Sequence, residues 1–282
     1  MSDAPTGSQT ARHVVARDGT RIAVFNSGDG SPLVLVHGAT ADHTTFRAAG
    51  PVLGRSFTVN AVDRRGRGAS ADGGGSYRID REFEDLAAVA DAVAAEAGEP
   101  VDVVGHSYGG RVALGAALLT GSIARLVVYE GAPSPTGGER YRLSGVEDRI
   151  AALIESGDRD GALATFLSDV VRLPEAELAA YRADPVWQLR AAAVHTSLRE
   201  MEGEGSPAAS LEALGAVRQP VLQILGGASA PVFRQATEAL DARLADGRIV
   251  VIHGARHAAH HTHVDAFVEA IRDFLADSAV AD

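Results

Sequence analysis

The stretch Gly105-His106-Ser107-Tyr108-Gly109 carries the first recognisable chemistry in the chain. It joins VDVVGH, an apolar run of strand character, to RVALGAALL, a run of helical character. A serine on a tight strand-to-helix turn is strained and exposed above a sheet, and small neighbours let strand and helix crowd together. The following helix directs its N-terminus at the serine, so the Tyr108 N–H is placed to bind developing negative charge. That combination suits nucleophilic acyl transfer; a serine that only caps the helix is the plainer alternative. A general base must come from elsewhere, and five histidines crowd the C-terminal end: His253, His257, His260, His261 and His263. Imidazoles three or four apart on one helix can share a metal ion. Here His253 ends a strand run and Gly254 opens a loop, so the set need not share a face. Neither cysteine nor glutamate within the cluster completes a familiar ligand pattern. No metal is expected.

The elements that must hold these residues are legible as alternating patterns. HVVARDGTRIAVFNSG reads as a hairpin turning at Asp18-Gly19. PLVLVH (32–37), FTVNAVD (57–63), VDVVGH (101–106), RLVVYE (125–130), PVLQIL (220–225) and GRIVVIH (247–253) are short apolar runs. Such runs suit strands buried on both faces of a parallel sheet. Helical spacing appears at 80–97, 108–119, 232–244 and 264–276. The alternation predicts an α/β fold with a doubly wound, mostly parallel sheet, flanking helices and an antiparallel start. The rhythm breaks from 133 to 215, where Leu163, Phe166, Leu167, Val170 and Val171 recur at helical spacing and no strand run appears. The expected organisation is a core over 11–132 and 216–278, a helical lid insertion over 133–215, and a disordered tail over 1–10.

Composition narrows the partners. The 282 residues hold 26 basic against 37 acidic side chains, a net charge of −11, and suffice for one large domain or a core plus insertion. Basic residues are scattered singly except around Arg64, Arg65 and Arg67, whereas nucleic acids and anionic membranes require a clustered basic footprint. Neither is expected as a partner. The absence of cysteine removes disulfides and thiolate chemistry. The polar start MSDAPTGSQTARH lacks the apolar stretch of a signal peptide, and no run approaches the roughly 20 residues of a membrane span. A cytoplasmic protein is the expectation.

Four motifs together resemble the α/β-hydrolase family: LVLVHGAT, VDRRGRGAS, GHSYGG and IHGARHAAHHT. The resemblance runs from about residue 13 to 277. It implies that Ser107 is the nucleophile and that the backbone N–H groups of Ala39 and Tyr108 form the oxyanion hole. It implies that the Asp63-to-Ser70 turn is structural and that His37 forms a turn rather than carrying a proton. The family's Gly/Ala-x-x-His pattern after the last strand falls on His257, making it the general base. Neutral imidazole is well populated near pH 7.

A triad also requires a carboxylate on the histidine's Nδ1. The family most often supplies it after the strand read at 220–225, but Ala228, Ser229 and Ala230 stand there. Open α/β sheets build their sites at the strands' carboxyl ends. Asp102 starts its strand, and Asp265 lies inside the final helix, too close in sequence to point back easily. Glu130, ending RLVVYE, remains, and some α/β hydrolases carry the acid on this preceding strand. A strand-end glutamate serving a salt bridge to the lid, or a dyad without an acid, are the alternatives.

The expected activity is hydrolysis of a carboxylic ester or thioester of a small molecule through an acyl-serine intermediate, without a cofactor. Relatives that act on epoxides and haloalkanes use aspartate where Ser107 stands. The same scaffold hosts non-hydrolytic lyases or cyclases and small-molecule receptors, and these are the rival expectations. Trp187, Tyr181, His195 and Glu200 of the insertion, with His37 and His261, are candidate substrate-binding side chains. Oligomeric state is not legible.

Overall fold

The computed structural model describes residues 11–277. The tail expected over 1–10 lies outside the described residues, as does residue 278. Eight strands form one sheet: β1 Arg12–Val15, β2 Arg21–Ser27, β3 Ser31–Val36, β4 Phe57–Val62, β5 Val101–His106, β6 Ile123–Tyr129, β7 Val221–Gly226 and β8 Gly247–Ile252. Their order is β1-β2-β4-β3-β5-β6-β7-β8. The first two strands form the expected hairpin, with Gly19 at φ 85°, and β2 runs antiparallel to β4. All pairings from β4 onward are parallel.

The continuous apolar strands are explained by burial on both faces. Val34 and Val36 of β3 pack beneath the helices Ile79–Ala97 and Tyr108–Ala117, whereas Leu33 and Leu35 face the core beneath Val264–Asp277. Strand β6 divides likewise, with Leu126 and Val128 on one face and Val127 and Tyr129 on the other. Alternate residues of one strand therefore fill two separate cores.

Between β6 and β7 the described elements are all helical, from Glu139–Ser144 to Leu211–Leu214. They enclose a core of their own around Ile150, Leu163, Phe166, Trp187 and Val194. One turn, Phe166–Val170, is wound as a π-helix. A buried ionic lattice ties this insertion to the sheet. Arg64 bonds Glu82 at 3.1 Å and also pairs with Glu200 of the helix Thr196–Gly203. Arg67 bonds Glu200 at 2.5 Å. Removing one member of such a lattice would leave uncompensated buried charge, at a cost of about 3–5 kcal/mol.

Among the described residues, no helix is long and apolar enough to cross a membrane.

Candidate active site

Strand β5 ends at His106, and the backbone then turns sharply through Ser107 at φ 54° and ψ −124°. Such a conformation costs a residue with a side chain of order 1–3 kcal/mol and persists only where the surroundings enforce it. The enforcement is close packing. A Cβ on Gly109 would meet the carbonyl oxygens of Val36 and His37 at 2.4 Å, so the helix starts directly against β3. The Ser107 N–H donates to the Tyr129 carbonyl at 2.8 Å. Tyr108 opens the helix, so its own N–H has no acceptor within it.

The loop after β3 is fixed by His37 and Arg64. The His37 Nδ1–H donates to Gly38 O at 2.8 Å, and its Nε2 accepts the Arg64 N–H at 3.0 Å. Both ring nitrogens are thus committed and the side chain is fully buried, so His37 shapes the turn and does not reach the cavity. Thr40 follows at φ 57°, and Ala39 lines a cavity together with Ser107, Tyr108, Glu130 and His257. The turn beginning at Asp63 is likewise built from internal bonds. Asp63 accepts the N–H groups of His43 and Ala69 at 2.7 and 2.8 Å, and Arg65 is held by Asp85 at 2.6 Å. Asp42, His43 and Asp63 have metal-ligand spacing, but His43 already donates to Asp63 at 2.8 Å, and Asp42 accepts the Thr44 N–H at 2.9 Å.

Glu130 leaves β6 at φ 45°, another non-glycine residue in the left-handed region. Its side chain is fully buried. One carboxylate oxygen, Oε2, lies 2.6 Å from His257 Nδ1, and the other, Oε1, accepts the Gly226 N–H at 2.7 Å. A carboxylate can only accept, so His257 carries its proton on Nδ1 and leaves Nε2 free to act as a base. Gly226 ends β7, the strand whose following turn lacks the usual acid. A Cβ there would meet Ser229 Oγ, Ala255 O and Arg256 O within 2.9 Å, so the Glu130 carboxylate from the neighbouring strand rests against a bare backbone.

Residues immediately before Ser107 and Glu130 clamp the loop that carries His257. His106 Nε2–H donates to His257 O at 2.8 Å. The Tyr129 hydroxyl donates to Arg256 O and accepts the Ala259 N–H at 2.9 Å. The Phe233 ring stacks on His257 at 4.5 Å and 25°. None of these three partners was singled out from sequence. His106 and Tyr129 had a usable signal, because each directly precedes a proposed triad residue at a strand end. In this conformation, among the described residues, the Ser107 hydroxyl makes no hydrogen bond to His257. The two share the walls of one cavity of about 50 Å³.

Other expected binding residues lie elsewhere. Trp187 is buried in the insertion's core, where its Nε1–H donates to Asp160 at 2.5 Å. Tyr181 packs edge-on against it at 5.8 Å. His195 is exposed and lines a separate cavity beside Thr40, Arg67 and Arg190. His261 packs on His260 at 4.5 Å, and burial lowers its pKa to about 4. These side chains were chosen by type, and none of them lines the cavity that holds Ser107. Glu200 is the candidate from the insertion that lines the cavity.

The histidine packing has a thermodynamic consequence. Desolvation holds the imidazoles of His37, His106 and His260 well below the ordinary 6.5. The unfolded chain binds protons as pH falls through 6.5 and the folded chain does not, so this stability is present above 6.5 and lost below it. Each such group contributes a slope of up to about 1.4 kcal/mol per pH unit. Asp85, raised by burial to about 6, works in the opposite direction. The unfolding free energy from urea titration should therefore be about 2–4 kcal/mol lower at pH 5.5 than at pH 7. Equal values would show that the imidazoles protonate without unfolding.

A model described as the alpha/beta hydrolase family matches residues 33–270. The chain is 30% identical over 268 residues to a pimeloyl-[acyl-carrier protein] methyl ester esterase of Neisseria meningitidis serogroup B, covering 86% of this chain and 91% of that protein. An alpha/beta hydrolase from Sphaerobacter thermophilus superposes with a TM-score of 0.75 at 31% identity, covering 92% of this chain and all of the other. A hydrolase from Pseudomonas aeruginosa gives 0.74 at 25% identity, covering 95% and 99%. With its mostly parallel eight-stranded sheet and this match across its length, the chain belongs to the alpha/beta hydrolase family.

Proposed function

We propose that the chain is a serine hydrolase that cleaves a carboxylic ester or thioester of a small molecule through an acyl-serine intermediate. The observation that carries this reading is the 2.6 Å contact between His257 Nδ1 and Glu130, beside the strained Ser107 in one cavity. Ser107 Oγ attacks the carbonyl carbon while His257 Nε2 takes its proton. The negative charge on the former carbonyl oxygen is met by the N–H groups of Ala39 and Tyr108, each worth about 10²–10³ in rate. The imidazolium stays bonded to Glu130, then protonates the departing alcohol or thiol. Water repeats the sequence and frees the acid. The methyl ester esterase similarity points to the same bond. The insertion acts as a lid, because Tyr141, Phe166 and Glu200 complete walls that the sheet's loops begin.

A fluorophosphonate should label the protein once, with the mass shift on the peptide containing Ser107, and the labelled protein should lose turnover of p-nitrophenyl esters. Active protein that takes no label, or takes it on another serine, would remove the acyl-serine mechanism. Single-turnover labelling without ester or thioester turnover would instead favour a non-hydrolytic member of the fold.

A further inference from the structure

One face of the His257 imidazole is covered by a ring from the element that follows β7. The Phe233 ring has its centroid 4.5 Å from that of His257 and lies 25° from parallel to it. Phe233 stands in the first turn of the helix Pro231–Asp241. The connection leading into that helix, Ala228 to Ala230, is the one that lacks a carboxylate. It is fastened to the histidine loop by bonds that involve neither ring. The Ala228 N–H donates to Ala255 O and the Gly227 N–H to Ile252 O, both at 2.9 Å. Arg256 Nη1 donates to Ala228 O at 2.5 Å. Pro231 presets the entry into the helix, and the Phe233 N–H donates to Ala230 O at 3.0 Å. Backbone geometry therefore sets the stack, independently of any attraction between the rings.

The stack matters because a base in acyl transfer alternates between neutral imidazole and imidazolium. The face of a phenyl ring is negative and attracts a cation within about 6 Å of its centroid, more strongly where water is partly excluded. Neutral imidazole gains no such attraction. The His257 side chain is only 12% exposed, so little water competes for its charge. Its other neighbours leave this role to Phe233. Glu130 acts at the Nδ1 edge and not on the ring face. His106 lies 4.7 Å away and is kept neutral by burial, so it sets no second cation beside the first. Arg256 is paired with Glu177 at 2.9 Å. The Tyr129 ring is more distant, at 6.1 Å. Among the described residues, Phe233 is the nearest ring to His257 and the most nearly parallel.

We infer that Phe233 is a positioning residue for the hydrolysis, whose ring face holds His257 in place and favours the imidazolium formed as Ser107, and later water, gives up its proton. This rests on the serine-hydrolase reading of the site. The connection after β7 thus still serves the histidine, with a negative ring face in place of a carboxylate, while β6 supplies the charge through Glu130. The attraction exists only while the base is charged. It therefore acts on the transition states of acylation and deacylation alike, and falls on kcat rather than on KM.

Fluorination tests the ring's charge distribution at nearly constant shape, since each fluorine withdraws electron density from the face. Replacing Phe233 by mono-, di- and trifluorophenylalanine should lower kcat for a p-nitrophenyl ester stepwise. With three fluorines the loss should reach about 2–10-fold, with KM within about twofold of the parent. Fluorophosphonate labelling of Ser107, which passes the same proton to His257, should slow in the same order. Phe233→Tyr keeps an aromatic face and should stay within about twofold of the parent, whereas Phe233→Leu keeps apolar bulk alone and should lose about 3–10-fold in kcat. A kcat that does not change across the fluorinated series, with Ser107 labelled and esters turned over, would overturn the inference and leave the serine mechanism standing. A series that moves KM alone would also overturn it, because Phe233 lines the cavity and would then be a wall for the substrate. So would a Phe233→Leu protein as active as Phe233→Tyr. A parent protein that takes no label at Ser107 and turns over no ester would overturn both readings. If Phe233→Leu does not fold, the fluorinated proteins, which keep the ring, decide alone.

Discussion

His257→Ala should lower kcat toward an ester substrate by about 10⁵–10⁶, with the fold intact. Removing the base of a serine triad costs about as much as removing the whole triad, on the order of 10⁶, because the serine then has no acceptor for its proton. The imidazole is partly exposed and stacked by Phe233, so its loss opens space at the cavity rather than in a core. His263→Ala is the matched control: that ring bonds its neighbour Thr262 at 2.9 Å, is absent from the cavity wall, and should retain most of the activity. His260→Ala is no such control. His260 is 1% exposed and packs within 4.5 Å of both His106 and His261, so truncation there should destabilise the loop. Steady-state kinetics on the two variants checks this, with circular dichroism to establish folding. A His257→Ala protein within tenfold of the parent would mean that the proton goes elsewhere. A loss common to His257→Ala and His263→Ala, reversed by added zinc, would favour a metal site.

Much of the fold was legible because its physics is repetitive. Strands covered on both faces are apolar at most positions, and each of the runs read at 32–37, 101–106 and 220–225 overlaps an observed strand to within one residue at either end. Helix 80–97 was readable for a related reason, since one stripe of it packs and the other is solvated; it spans Ile79–Ala97. The insertion was readable only as helical, because which face of a short helix meets a cavity depends on the packing of its neighbours. Trp187 shows the difficulty: a large aromatic signals burial, and burial here means the insertion's own core. The polar lattice was equally hidden. Arg64 and Glu200 are 136 residues apart and nothing in their local sequence announces a pair. Glu130 was reached differently, from an absent residue at one strand end and a carboxylate at the next. The structure adds the reason the substitution is feasible: β6 and β7 are adjacent, Glu130 N–H donates to Ile224 O at 3.1 Å, and its side chain bridges Gly226 and His257.

Glu130→Gln should lower kcat by about 10²–10⁴ while leaving KM for the same ester nearly unchanged. The substitution keeps size and removes charge. In the parent, Oε2 accepts from His257 Nδ1–H and Oε1 accepts from Gly226 N–H. A glutamine must still accept from Gly226, since among the described residues that amide has no other acceptor at the strand end. Its oxygen therefore stays on Gly226 and its N–H₂ faces His257. An amide donor there requires Nδ1 to be the acceptor, which puts the imidazole proton on Nε2, the nitrogen that must receive the proton of Ser107. The wrong tautomer and the lost stabilisation of imidazolium act together, and a carboxylate-to-amide change of this kind costs about 10⁴ in a serine protease. Ground-state binding should change little, because the acid holds the base and is not expected to hold the substrate. Raising the pH should recover no activity, whereas an added aspartate at Ala228 or Ser229, where relatives more often carry the acid, should recover part of it. The double variant thus tests whether both strand ends reach the same imidazole. A folded Glu130→Gln protein with near-normal kcat would sink the assignment and leave His257 oriented by the backbone clamp of His106 and Tyr129 alone. An unfolded one would identify the carboxylate as a structural tie between β6 and β7.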